Sequence, residues 1–118
     1  MIIGDRIYTI ENKIFVIDYR GCKGEEMMRT ATALKDLMLS QNKPMSVLTI
    51  FDDHTYVTPR FMRHAESETR SVLHLIYKMA YLGLSPTKKI ILNGYNFIFQ
   101  RNFQAFDTHE EAVAYLLQ

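Results

Sequence analysis

Near the middle of the chain Asp52, Asp53, His54, Thr55 and Thr58 bring two carboxylates, an imidazole and two hydroxyls close together in the stretch TIFDDHTYVTPRF. Those residue types suit three chemistries. Carboxylates and an imidazole can ligate a cation, with His64 and Glu68 one helical turn apart as further donors. A carboxylate can orient an imidazole for proton transfer. A threonine hydroxyl in a loop can accept a phosphoryl group. Neighbouring residues on a strand point to opposite faces, so Asp52 and Asp53 cannot both aim at one ion without a bend. The acid/base reading lacks a nucleophile motif: there is no G-x-S-x-G, no Walker loop and no dinucleotide fingerprint. Cys22, in YRGCKG, sits beside Lys23, a setting that can lower a thiol pKa, but no base is placed for it. The sequence therefore predicts no catalytic residue, no metal site and no cofactor. Thr58 precedes Pro59 and reads as a helix cap, whereas Thr55 carries no evident structural duty.

The background is that of one ordinary domain. With 118 residues, 47% hydrophobic and 23% charged, the chain is long enough for a single core. Fourteen Lys and Arg against thirteen Asp and Glu leave a formal charge of +1, which gives no global field to recruit nucleic acid. The pairs Lys88 with Lys89 and Arg60 with Arg63 read as solvated helix faces. One cysteine, Cys22, can form no internal disulfide, and a reducing cytoplasm suits it. The opening MIIGDRIYTIENK carries charge where a signal peptide would be apolar, and no apolar run is long enough to span a bilayer.

The elements that would position the cluster follow from pattern and punctuation. RIYTI and KIFVIDY are β-branched and aromatic runs around Glu11 and Asn12, an antiparallel hairpin. GCKGEE breaks the strand and loads acid into a first helical turn, after which Met27, Ala31, Leu34 and Met38 make one apolar face. Pro44 stops that helix. MSVLTIF is a strand buried on both sides. The Thr58-Pro59 helix runs to about Leu75, with Phe61, Ala65, Val72 and Leu73 inward and Arg60, Arg63, Glu66, Glu68 and Arg70 outward, and Val57 and Met62 at staple positions. YKMAYLGL is the next strand. Ser85-Pro86 opens another helix, which Gly94 either ends or merely lies within. NFQAF is a short last strand. Thr108 and Glu111 make a T-x-x-E capping box for a terminal helix with Ala112, Val113, Leu116 and Leu117 on its apolar face. Strands alternating with helices imply a mixed sheet.

In this order the whole chain resembles the SpoIIAA-like family, bacterial relatives of the STAS domains. The resemblance lies in FVIDYRG, the acids Glu25 and Glu26, VLTIFDD, VTP, KMAYLGL and the closing FDTHEEAVAYL. It implies an α/β fold: a single domain over residues 1–118, with a mixed sheet of about five strands and about four helices mainly on one face. The better-known members are regulatory binding modules, and the related CRAL-TRIO fold carries lipids. In anti-sigma antagonists a hydroxyl at the strand-to-helix junction is phosphorylated by a partner kinase. The resemblance puts Thr55 at that position, with Tyr56 where the motif has glycine.

The expected function is a cytoplasmic, non-enzymatic regulatory module that binds a protein partner, a kinase or regulator, around Asp52, Asp53, His54, Thr55 and Thr58. The alternative is a small carrier or sensor of an apolar, lipid-like ligand. The aromatic stretch GYNFIFQRNFQAF, with Tyr95, Phe97, Phe99, Phe103 and Phe106, is either packed core or a groove for such a ligand or a second subunit in a homo-oligomer.

Overall fold

A five-stranded sheet with its strands in sequence order organises the computed structural model, which describes residues 5–118. Met1–Gly4, and with them part of the expectation about a leader, lie outside the described residues. Strands β1 (Ile7–Ile10) and β2 (Ile14–Asp18) form the expected hairpin. Glu11 and Asn12 both take positive φ, 53° and 54°, the left-handed pair that matches the twist of a tight hairpin. Strands β3 (Met45–Ile50), β4 (Ile76–Leu82) and β5 (Gln104–Phe106) then add parallel to β2 and to one another. The sheet is mixed because only the hairpin is antiparallel.

Helices fill the crossovers. Helix α1 (Gly24–Gln41) buries Met27, Ala31, Leu34 and Met38, and it ends where Asn42 turns left-handed and its N–H bonds to Met38 O at 2.9 Å. Helix α2 (Pro59–Val72) is shorter than expected, a 3-10 turn at Leu73–Leu75 completing the descent to β4. Helix α3 (Pro86–Phe99) runs through Gly94 and stops at Gln100, whose φ of 54° closes it. Helix α4 (His109–Leu116) starts on Thr108, whose Oγ1 accepts from Glu111 N at 3.2 Å and donates to Glu111 Oε1 at 2.9 Å.

Strand alternation divides the core. Phe15, Ile17, Val47 and Met79 face α1, α2 and α3, while Ile14, Val16, Leu48 and Ala80 face Ala112 and Leu116 of α4. Three helices thus cover one face and one covers the other. The α/β class and helices mainly on one face are as expected. Leu117 departs from its predicted place: the helix ends one residue earlier and leaves it 40% exposed.

Candidate functional site

The C-terminal ends of β2, β3 and β4 set three rings side by side on the face that carries α1, α2 and α3. Tyr19 N bonds to Ile50 O at 2.9 Å and Phe51 N to Leu82 O at 2.8 Å, so the ladder continues one residue past β2 and β3. Thr49 is in register with Tyr81. With side chains alternating, Tyr19, Phe51 and Tyr81 all project toward α1–α3. The Phe51 ring lies 5.3 Å from Tyr19 at 19° and 6.4 Å from Tyr81 at 8°. Gly83 permits the close pass that follows. Its φ is +81°, and a Cβ there would collide with the Phe51 carbonyl.

Above this row lies a cavity of about 110 Å³, walled by Leu34 and Met38 of α1, Val72 of α2, Met79 of β4 and Leu92 of α3. Its polar fringe is sparse and mostly tied down. Tyr95 Oη donates to Met62 O at 2.8 Å, joining α3 to α2, and burial pushes the phenol up to about 12, Glu66 adding to the effect. Lys88 Nζ donates to Thr55 O at 2.9 Å and Asp52 O at 3.4 Å, and it sits 5.7 Å from the Phe51 ring centroid. Glu68, expected outward, lines the cavity with its side chain only 16% exposed, 3.8 Å from Lys35 Nζ and 3.9 Å from His64 Nε2. The reason is the tight α1–α2 packing, which turns that side of α2 toward Lys35. His64 Nε2 also lies 2.9 Å from Thr32 Oγ1 and 3.2 Å from Met28 O. Burial raises the phenol pKa values of Tyr19 and Tyr81 well above the ordinary range.

The loop between β3 and α2 holds the residues singled out in the sequence. Asp52 is half-buried and its Oδ1 accepts from Thr55 Oγ1 at 2.7 Å and His54 N at 3.0 Å. Those bonds, the Thr55 hydroxyl first, hold its carboxyl below the ordinary range against the opposing effect of desolvation. Asp53 and His54 are exposed. Thr55, read from sequence as free of structural duty, is buried: its Oγ1 also accepts from Asp52 N at 3.2 Å and lies 3.3 Å from Tyr19 O. Thr58 caps α2, accepting from Phe61 N at 3.0 Å. Among the described residues no three His, Cys, Asp or Glu side chains converge to hold a metal ion.

Cys22 departs from the low thiol pKa its Lys23 neighbour suggested. It is buried, its S–H points to Glu26 Oε1 at 3.3 Å, and burial with that carboxylate raises the thiol instead. The aromatic stretch divides: Phe99 and Phe103 are buried, whereas Phe97 is 86% exposed on the outer side of α3. The sequence reading missed Tyr19, Tyr81 and Lys88 as cavity groups. The signal was there in part, since Tyr19, Phe51 and Tyr81 fall in one alternation phase at the ends of neighbouring strands. Among the described residues no helix is long and apolar enough to cross a membrane. No family model, no curated protein and no solved structure matches this chain.

Proposed function

We propose that the domain is a non-enzymatic binding module that holds a small apolar molecule between its sheet and α1–α3, as a carrier or a sensor. The observation that carries this is the cavity itself, lined by aliphatic and methionine side chains with a few polar groups at its edge, the usual composition of a small-molecule site. Its volume of about 110 Å³ is near the ~150 Å³ of an engineered apolar cavity that accepts benzene, so it suits a single ring or a short branched chain rather than a long acyl tail. The resemblance to SpoIIAA-like domains, with their carrier relatives, points the same way, and a reduced Cys22 suits a cytoplasmic setting. Solvent extraction of the purified protein followed by mass spectrometry tests the reading. A stoichiometric apolar compound is expected, and an extract without one, together with no binding of added single-ring compounds, would sink it.

A second reading, a module acting through a protein partner at the β3–α2 loop, is favoured by the exposure of Asp53, His54 and Tyr56, the last 73% exposed. Loss of a captured protein on Tyr56→Ala or Asp53→Ala would support it. A phospho-switch at Thr55 would first require the loop to open, because the hydroxyl is buried and bonded.

A further inference from the structure

The ligand class can be read from two hydroxyls and one cation. Tyr19 is only 5% exposed, and neither its phenol oxygen nor that of Tyr81 has a hydrogen-bond partner among the described residues. No fully occluded side-chain nitrogen or oxygen among those residues lacks a partner, so both oxygens face open volume, and the volume both residues line is the cavity. A hydroxyl that opens onto the cavity with no protein partner is free to donate to whatever fills it, and a site that presents two of them suits an occupant able to accept.

The cation stands in the same place. Lys88 lines the cavity above Phe51, the ring between Tyr19 and Tyr81. Its ammonium is held by two backbone carbonyls and, among the described residues, has no carboxylate within salt-bridge distance. An ammonium has three N–H donors, so one is left over. The other cavity-lining charges each have an opposite charge beside them, Lys35 lying 2.8 Å from Asp36 and 3.8 Å from Glu68. The lining charge without an opposite partner is therefore that of Lys88, at the phenol end. The walls toward Met38, Val72 and Met79 are apolar.

We propose that the cavity is a site for a small monocarboxylate, its anionic head received by Lys88 and the Tyr19 and Tyr81 hydroxyls and its body, no larger than one ring, packed against Met38, Val72 and Met79. The proposal rests on the reading of the cavity as a ligand site and adds a head group to it. Charge-assisted hydrogen bonds are the strong ones, which makes the head group the source of selectivity.

Isothermal titration with benzoate, benzyl alcohol and benzylamine, one ring bearing an anionic, neutral or cationic head, separates the two layers. Benzoate should bind at least about tenfold tighter than either other probe, the scale of one charge-assisted bond. Tyr19→Phe and Tyr81→Phe remove oxygens that hold nothing in the fold, so each variant should stay folded while losing benzoate affinity severalfold and keeping that for benzyl alcohol. Lys88→Met should erase the preference for the anion. Equal binding of the three probes, or benzoate affinity untouched by both Tyr→Phe changes, would overturn the carboxylate assignment while leaving the cavity reading in place. Binding of none of the three overturns both.

Discussion

Replacing Thr55 by valine tests whether the β3–α2 loop is a structural knot or a free switch. The change keeps the size and β-branching of the side chain and removes one oxygen. That oxygen accepts from Asp52 N at 3.2 Å and donates to Asp52 Oδ1 at 2.7 Å, in a residue 3% exposed. At about 1 kcal/mol per intramolecular hydrogen bond the loss is about 2 kcal/mol, or roughly 8 °C in Tm at about 4 °C per kcal/mol for a domain of this length. Urea unfolding followed by circular dichroism should show a lower midpoint with an unchanged slope. Thr55→Ser, which restores the oxygen, should recover most of the loss. Thr55→Asp should be worse than valine, since it buries a second carboxylate beside Asp52. Were Thr55→Val to unfold within about 0.5 kcal/mol of the parent, the hydroxyl would have no structural role and the threonine would be free for modification.

The same contact sets a pH dependence. With the Asp52 carboxyl held low in the folded state, its contribution is fully present above the unfolded value, about 3.9, and is lost as pH falls through the lower folded value. Urea midpoints measured down through that range should therefore fall less steeply for Thr55→Val than for the parent; equal slopes would separate the hydroxyl from the carboxylate. At the cap of α2, Thr58→Ala should cost about 1 kcal/mol and Thr58→Asp should cost little, because aspartate also accepts from the Phe61 amide. A chemical denaturation series on the two variants decides it. Gly83→Ala should cost more than about 2 kcal/mol, since it combines positive φ with a collision against the Phe51 carbonyl, and soluble expression with thermal melting would report it.

What could be read from the sequence were features written in local pattern. The Thr58-Pro59 and Ser85-Pro86 starts, the Thr108–Glu111 box and the Met27–Met38 stripe each encode their element within a few residues, and each stands where expected. Boundaries that depend on neighbours were less legible: Gly94 is carried inside α3, and Leu117 falls outside α4. Burial of Thr55 was hidden for the same reason, because one of the atoms beside its hydroxyl is Tyr19 O, thirty-six positions earlier. The cavity was the least legible of all. It exists only where three parallel strands bring Tyr19, Phe51 and Tyr81 abreast beneath three helices, a juxtaposition that no local spacing records.

A small apolar molecule in that cavity would compete with any side chain that fills the same space from within. Ala65 lines the space from α2, so Ala65→Leu puts an isobutyl group where the ligand body would lie while keeping a good helix former. Methionine-methyl NMR during titration with toluene follows Met38 and Met79 on its wall. Occupancy of the cavity gives saturable shifts of both methyls in the parent protein and their loss in Ala65→Leu, with the fold retained. Methyls that do not respond in the parent, or that respond equally in the filled variant, would contradict it.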